Sequence, residues 1–151
     1  MAEGTRYLID TKILLRISRE EDRQHKMIGE ALSELERLGS VLCYSLQNIA
    51  EFWNVCTRTM ERNGFGLDAA ETNLRVDYIE RTMTFLPENE QVYWLWRRLV
   101  LAHGVRGVQV HDAHPAATMQ AHGVSRILTL NRPDFLRYTA VEAVHPNQVL
   151  S

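Results

Sequence analysis

The chain has 151 residues, of which 45% are apolar and 24% are charged, the proportions of an ordinary soluble globular protein. Its formal charge of −2 supplies no general attraction for polyphosphate, so any binding of nucleic acid needs a local basic patch or a bound metal ion. At this length we expect a single domain over residues 1–151, large enough to bury a core.

The cysteines and the hydrophobic segments point to a cytoplasmic protein. Cys43 and Cys56 have no zinc-type spacing and lie in apolar patterns, so we expect two reduced core thiols. The first residues lack the charged-then-apolar layout of a signal peptide. No apolar run approaches the roughly 20 residues needed to cross a bilayer.

Short apolar runs alternate with longer stretches of helical period. Strands are predicted over residues 7–9, 41–44 and 126–130, with weaker candidates at 84–86 and 141–144. Continuous apolar runs of this length are typical of strands that are buried on both faces of a parallel sheet. The alternation predicts an α/β fold built from βαβ units.

Capping residues delimit the helices between these runs. Helical spacing predicts helices over residues 19–38, 45–62 and 92–103. Ser45 is the predicted cap of the second of these helices, and Asp68 with Glu71 forms a predicted capping box for another helix. Asp112 is the predicted N-cap of a further helix, which Gly123 ends.

A dispersed set of acids falls where such a fold places ligands, beyond the carboxyl ends of the strands. Asp10 follows the first strand, Glu51 lies early in the helix after the second, and Asn131 and Asp134 follow a later strand. Carboxylates gathered at one edge repel each other and call for a cation, and hard oxygen ligands favour Mg²⁺ or Mn²⁺.

Each of these acids also has a purely structural explanation. Asp10 suits a turn or a helix cap, Glu51 suits a solvated helix face, and Asp112 suits a cap that needs no chemistry. Asp134, directly after Pro133, suits a turn. These residues therefore indicate a functional site only when they are considered together.

As a set they resemble a known family. Residues 8–11 (LIDT), 47–52 (QNIAEF), 110–113 (VHDA) and 127–135 (ILTLNRPDF) together resemble the PIN-domain family, and most of all its VapC-type toxins. The resemblance covers nearly the whole chain, and the last block is its most specific part. It implies one PIN-like three-layer sandwich, with a central, mostly parallel sheet covered by helices. It also implies a Mg²⁺- or Mn²⁺-dependent ribonuclease toxin, usually a homodimer, with an antitoxin partner.

The resemblance also implies roles for particular residues. Asp10, Glu51 and Asp112 would bind the metal, and Asn131 or Asp134 would complete the fourth corner of the catalytic set. RNA would be hydrolysed by activated water, which leaves a 5′-phosphate and a 3′-hydroxyl. The predicted substrate contacts are Thr11, Lys12 and Arg132.

One position departs from the family pattern, because Lys12 stands where Asn usually follows the Asp-Thr pair. Its ammonium group would either compete with a metal for the acids or contact the scissile phosphate as a point charge. The alternative function is therefore a catalytically weakened module that binds RNA or a partner. A haloacid-dehalogenase-type phosphatase is disfavoured, because Lys12 stands where that chemistry needs a second Asp.

Aromatic and histidine residues elsewhere have weaker claims to a function. Tyr93, Trp94 and Trp96 precede two arginines and suit stacking on bases, although core packing or a dimer interface is the favoured explanation. His111 and His114 have the spacing of a zinc pair without a third soft ligand nearby.

Overall fold

A computed structural model of the chain describes residues 4–151. In the described part, five short strands alternate with seven α-helices. The strands are β1 (Arg6–Ile9), β2 (Val41–Ser45), β3 (Thr84–Leu86), β4 (Arg126–Leu128) and β5 (Glu142–Val144). The helices are α1 (Thr11–Ile17), α2 (His25–Arg37), α3 (Leu46–Thr57), α4 (Ala69–Thr82), α5 (Glu90–Ala102), α6 (Val110–Ala121) and α7 (Pro146–Leu150).

The five strands form one sheet in the order β3-β2-β1-β4-β5, and every neighbouring pair is parallel. The first strand is central, with Leu8 opposite Cys43 on one side and Ile127 on the other. All carboxyl ends therefore lie along one edge, and the segments that leave β1, β2 and β4 are neighbours there. The predicted α/β class with a parallel sheet is confirmed.

Two apolar cores lie on opposite faces of the sheet, since alternate side chains of a strand point to opposite sides. Tyr7 and Ile9 belong to one core, which includes buried residues of α1, α2, α3, α4 and α7. Leu8 belongs to the other core, with residues of α5 and α6. Two helical layers around one sheet make the three-layer sandwich that the sequence predicted.

The first helical region was predicted incorrectly. A helix was expected over residues 19–38, but α2 begins only at His25, and α1 was not foreseen. Before α2, Asp22 accepts a hydrogen bond from the Gln24 N–H and pairs with Arg16 at 2.9 Å. These local contacts hold the segment in turns that the helical spacing of its apolar residues did not reveal.

Two further boundaries differ from the predictions. The helix expected over residues 45–62 ends at Thr57 and is followed by a 3₁₀ turn over Met60–Arg62. Gly64 closes this turn so tightly that a Cβ there would lie 2.0 Å from the Arg58 carbonyl oxygen. The strand expected over residues 126–130 ends at Leu128, although the Thr129 N–H still donates to the Val144 carbonyl of β5 at 2.9 Å.

Asp112 is not the N-cap of its helix, contrary to prediction. The helix α6 begins two residues earlier, at Val110, after a 3₁₀ turn over Gly107–Gln109, so Asp112 lies inside the first turn. The preceding short turn leads directly into the α-helix and so hides the boundary. The other caps are confirmed: Asp68 accepts from the Glu71 N–H, and Ser45 accepts from the Asn48 N–H.

The expectation of two free, buried cysteines is confirmed. Cys43 and Cys56 are free and buried, and burial raises the pKa of both thiols. Among residues 4–151 there is no helix with both the length and the apolar character needed to span a bilayer.

Candidate functional site

Asp10 lies at the carboxyl end of the central strand and caps α1. One carboxylate oxygen accepts a hydrogen bond from the Thr11 N–H at 2.9 Å. The other accepts from the hydroxyl of Thr129, which follows β4, at 2.7 Å. Both oxygens are therefore oriented by neighbouring segments of the sheet edge. Asp10 is therefore a helix cap, which the sequence offered as its purely structural explanation. Its hydrogen bond with Thr129 is a long-range contact that a cap alone does not require.

Glu51 joins the same edge from α3, although its side chain is exposed. The Thr11 hydroxyl donates to one of its oxygens at 2.7 Å, and the Gln47 side-chain amide donates to the other at 3.3 Å. Thr11 in turn accepts from the buried amide of Asn48 at 3.0 Å. An exposed carboxylate with both oxygens bonded is held in place rather than left to sample solvent.

Asn48 connects this network to the start of α3. Its side-chain oxygen accepts from the Ser45 N–H at 2.9 Å, while its backbone N–H donates to the Ser45 hydroxyl at 3.3 Å. This reciprocal capping box leaves the amide group of Asn48 aimed at Thr11. One residue thus closes a helix end and supports the side chain that orients Glu51.

Asp112 approaches from the opposite core, on the first turn of α6. Gln47 spans the gap, since its amide donates to the His111 carbonyl at 3.1 Å as well as to Glu51. Asp112 also lines a small cavity of about 80 Å³ together with Asp134 and Tyr138. The structure therefore brings Asp112 beside both α3 and the segment after β4.

Asp134 and Asn131, the two candidates for the fourth member of the catalytic set, differ in how they contact the site. Asp134 lies in a 3₁₀ turn over Arg132–Phe135, and its charge acts on Asp112. Asn131 enters the network through its backbone N–H, which donates to the Thr129 hydroxyl at 3.0 Å. The catalytic roles of both residues stay predictions.

The electrostatics of Asp10 show the effect of burial and of a second acid. Burial raises the pKa of Asp10 above its ordinary value of 3.8, against the hydrogen bonds from Thr129 and Thr11, which lower it. The charge of Glu51 raises this pKa further, and that of Lys12 lowers it. A pKa raised despite two stabilising hydrogen bonds marks a carboxylate in an unfavourable place for an anion.

Asp112 shows the same pattern with two acidic neighbours. Burial is the largest cause of its raised pKa, followed by the charges of Asp134 and then Glu51. His111 and Lys12 act in the opposite direction. The charge of Glu51 therefore raises the pKa of both Asp10 and Asp112.

The three predicted substrate contacts occupy different positions. Thr11 is buried and committed to Asn48 and Glu51. Lys12 is exposed, and its charge acts on both Asp10 and Asp112, so it lies at the rim of the acid set. Arg132 is exposed and donates to the Ala143 carbonyl of β5 at 3.1 Å. Their contacts with a substrate stay predictions.

The donor chemistry of this edge fits a hard divalent cation. Four carboxylates supply oxygen ligands of the kind that Mg²⁺ and Mn²⁺ prefer, and two of them have a pKa raised in part by the others, which a cation would reverse. Within residues 4–151, no three His, Cys, Asp or Glu side chains already stand together as a ready-made metal group. The fit therefore rests on charge and ligand type.

Sequence reasoning missed three residues that organise these acids: Gln47, Asn48 and Thr129. Thr129 is fully buried at the sheet edge, and it both donates to Asp10 and accepts from the Asn131 N–H. A polar residue inside the apolar run over 126–130 was the available signal for it. For Asn48, the signal was its position three residues after the cap Ser45.

With the geometry in place, the comparison with protein families identifies the class. The profile of the PIN domain matches residues 7–140, which include Asp10, Glu51, Asp112 and Asp134. The chain belongs to the PIN domain family, a family of nucleases. No curated protein matches the sequence.

Solved structures show the same fold at low sequence identity. The VapBC2 structure from Rickettsia felis, bound to a promoter DNA fragment, has 13% identity and a TM-score of 0.69, covering 93% of this chain and 98% of that one. VapC20 from Mycobacterium tuberculosis, a toxin that cleaves the sarcin-ricin loop, has 14% identity and a TM-score of 0.67, covering 87% and 95%. VapBC-1 from nontypeable Haemophilus influenzae has 18% identity and a TM-score of 0.67, covering 95% and 99%.

Proposed function

We propose that this protein is a metal-dependent endoribonuclease and the toxin of a toxin–antitoxin pair. The observation that carries the proposal is the gathering of acids at the carboxyl edge of the sheet, where the charge of Glu51 raises the pKa of Asp10 and Asp112, and that of Asp134 raises the pKa of Asp112. Membership of the PIN domain family supports a nuclease, and the similar fold of VapC20, a toxin that cleaves the sarcin-ricin loop, supports RNA as the substrate.

In this proposal, Asp10, Glu51 and Asp112 hold the cation, with Asp134 or Asn131 as the fourth member. A divalent cation bound there would supply activated water and would neutralise charge that develops on the phosphate. Thr129 and the Thr11 N–H orient Asp10, while the Thr11 hydroxyl and Gln47 orient Glu51. Ligands held at both oxygens lose little freedom when a cation binds, so the site is partly preorganised.

Cleavage of labelled single-stranded and structured RNA by the purified protein in Mn²⁺ tests the proposal. We expect products with 5′-phosphate and 3′-hydroxyl ends, and no products in EDTA or with Asp112→Asn. Asp77→Asn is the matched control, because Asp77 lies partly exposed on α4. Products that carry 2′,3′-cyclic phosphates, or cleavage that survives in Asp112→Asn, would contradict the proposal.

Lys12 favours a second candidate function, a weakened PIN-like module that binds RNA or a partner. Its charge acts on the pKa of both Asp10 and Asp112 in the same direction as a bound cation would, although both pKa values stay raised. Lys12→Asn separates the two functions, because it removes the charge and installs the residue that the family pattern favours. Cleavage that appears only in Lys12→Asn would establish the weakened module.

An antitoxin protein is the proposed partner. The similar structures from Rickettsia felis and Haemophilus influenzae are named as VapBC, and one from Klebsiella pneumoniae is a toxin–antitoxin complex. The homodimer implied by the family resemblance belongs to the same proposal. Inhibition of RNA cleavage by the product of a neighbouring short gene, added in stoichiometric amounts, would support this pairing.

A further inference from the structure

Beside the acid set, a cleft of about 340 Å³ lies between α5 and α6. Its apolar lining includes Val92, Trp96 and Val110, and its polar lining includes Glu88 and His114. This size falls at the lower end of small-molecule sites, and an apolar lining with a few polar groups is their usual composition. The roles assigned to the acids make no use of this cleft.

The cleft adjoins the candidate catalytic edge through residues that are neighbours in the chain or joined by a hydrogen bond. His111, which lines the cleft, directly precedes Asp112 on the first turn of α6. The His111 carbonyl accepts from Gln47, whose amide also donates to Glu51. One side chain, Gln47, therefore links the His111 turn at the cleft to Glu51 of the acid set.

Two aromatic side chains line the cleft, and one of them, Trp96, also packs against the core that contains Leu8, as the sequence favoured. The Trp96 indole N–H donates to the Val110 carbonyl at 2.9 Å, which fixes the ring across the cleft. Tyr93 is 49% exposed and packs edge-on against Trp94, with ring centroids 4.9 Å apart. Aromatic walls of this kind are where unpaired bases stack, whichever base is present.

The polar end of the cleft favours some bases over others. The Glu88 carboxylate contacts the His114 ring at the cleft and remains partly exposed. A carboxylate accepts hydrogen bonds and donates none, so it suits a base edge that carries an amino group. Adenine, guanine and cytosine carry such a group. Uracil offers only its N3–H, which is flanked by two carbonyl oxygens that repel a carboxylate.

We infer that this cleft binds an unpaired, amino-bearing nucleobase of the RNA next to the phosphate that is cleaved. The inference rests on the proposed nuclease function, since that function places the phosphate at the acids. Tyr93 and Trp96 stack on the base, and Glu88 accepts from its amino group. The cleft thereby selects which nucleotide flanks the cut.

Trp94 provides the internal control. It neighbours Tyr93 and is 48% exposed, but it faces a different groove, together with Arg97, Arg98 and Arg106. Stacking of bases in that basic groove is the competing possibility. Tyr93→Ala and Trp94→Ala remove aromatic rings of similar exposure from the two sites, so they discriminate between them.

The test is a titration of the wild-type protein, in EDTA, with adenosine, cytidine, uridine and ribose, followed by the indole N–H resonances in NMR spectra. Neutral nucleosides avoid repulsion by the acids and need no metal. We expect adenosine and cytidine to shift the Trp96 resonance, identified by its loss in Trp96→Phe. Uridine should bind at least about fivefold more weakly, and ribose should have no effect.

The variants give the decisive outcomes. Tyr93→Ala should weaken adenosine binding about tenfold or more, and Trp94→Ala, which removes only a ring that packs against Tyr93, should weaken it far less. Glu88→Gln should bring uridine close to adenosine. Shifts confined to Trp94, or no nucleoside shift at all, would overturn the inference. If nucleosides do not bind but the protein cleaves RNA in Mn²⁺, the cleft inference fails and the nuclease proposal stands. If nucleosides bind but RNA is not cleaved, the nuclease proposal fails, and the cleft has no role beside a cut phosphate.

Discussion

Thr129 shows how one buried hydroxyl links the sheet to the acid set. It is completely buried, it donates to Asp10 at 2.7 Å, and it accepts from the Asn131 N–H at 3.0 Å. Its hydrogen bond lowers the pKa of Asp10, against the effect of burial. Thr129 therefore keeps a half-buried carboxylate closer to its ionised, metal-binding form.

The first prediction concerns Thr129→Val, which keeps the shape and removes the hydroxyl. We expect a loss of about 1–3 kcal/mol in the free energy of unfolding, because a partly buried N–H and a partly buried carboxylate oxygen each lose a partner. The pKa of Asp10 should rise further, so the acid limb of the pH profile for RNA cleavage should move to higher pH. Urea denaturation and cleavage rates measured across pH check both effects.

Thr72→Val is the matched control for this substitution. Thr72 is equally buried, but its hydroxyl donates to the Asp68 carbonyl within α4. It should lower stability without moving the pH profile. An unchanged profile in Thr129→Val would contradict the role given to its hydroxyl.

At this scale the sequence identified the acids but not their supports. Asp10 and Glu51 were selected because the fold class and a family resemblance both pointed to them, and Asp112 was selected through the resemblance. Thr129 and Asn48 were overlooked because a small polar residue within an apolar run, or behind a cap, has many structural explanations. Their importance depends on contacts 119 and 37 residues apart in the chain, which no local pattern encodes.

At the scale of elements, the start of α3 serves structure and site together. The capping box of Ser45 and Asn48 satisfies the helix end, and the same Asn48 amide supports Thr11, which orients Glu51. A substitution of Asn48 that left the Ser45 cap in place would keep the helix and lose the hydrogen bond to Thr11. The site is thus built into the βα turn itself.

The second prediction is that Asn48→Ala affects both stability and metal binding. The Ser45 cap remains, but loss of the reciprocal bond from the Ser45 N–H and of the buried bond to Thr11 should lower the free energy of unfolding by about 1–3 kcal/mol. Since Thr11 loses its donor, Glu51 should be less well oriented, and Mn²⁺ should bind more weakly. Thermal unfolding and calorimetric titration with Mn²⁺ measure the two effects.

Asp68→Ala is the control at this scale, because it removes the side-chain cap of α4 instead. It should cost about 0.5–2 kcal/mol of stability and leave Mn²⁺ affinity unchanged. Equal Mn²⁺ affinities in Asn48→Ala and Asp68→Ala would mean that the cap of α3 serves the fold alone.

The sequence predicted elements well where period and cap agreed, and poorly where short turns adjoin helices. Ser45 and Asp68 were identified as caps because each precedes a clear helical period. Asp112 was mistaken for a cap because the 3₁₀ turn over Gly107–Gln109 runs directly into α6. The boundary before α2 depends on the bond between Asp22 and the Gln24 N–H, a contact that hydrophobic spacing does not report.

At the scale of the whole molecule, the central position of β1 creates the site. The strand order places β1 between β2 and β4, so the segments carrying Asp10, Glu51 and Thr129 meet at one edge. The second helical layer supplies Asp112. The parallel arrangement was predictable from the continuous apolar runs, whereas the hydrogen bonds that join the layers, such as that from Gln47 to the His111 carbonyl, were not.

The third prediction is that the acid set lowers the stability of the metal-free protein. The pKa of Asp112 is raised in the folded state above 3.8, so the folded chain retains this proton at pH values where the unfolded chain has released it. The free energy of unfolding therefore falls as pH rises through the folded-state pKa of Asp112. Asp112→Asn should be more stable than the wild type above that pH, by about 0.5–1 kcal/mol.

Thermal unfolding in EDTA at several pH values measures this difference. The advantage of Asp112→Asn should shrink as pH falls toward 3.8, where the wild-type carboxyl is also neutral in the folded state. Asp77→Asn should show no such dependence. A wild type more stable than Asp112→Asn at neutral pH would indicate that the carboxylate serves the fold instead of a ligand.

The most direct test of the central claim is a calorimetric titration of Mn²⁺ into the wild type, Asp10→Asn, Asp112→Asn and Asp77→Asn. Asp10→Asn keeps a residue that caps helices well, so loss of binding would not simply reflect a lost cap. We predict that the wild type and Asp77→Asn bind Mn²⁺ alike, and that the other two variants bind at least about tenfold more weakly. Equal binding in all four proteins would contradict a metal site at the carboxyl edge of the sheet.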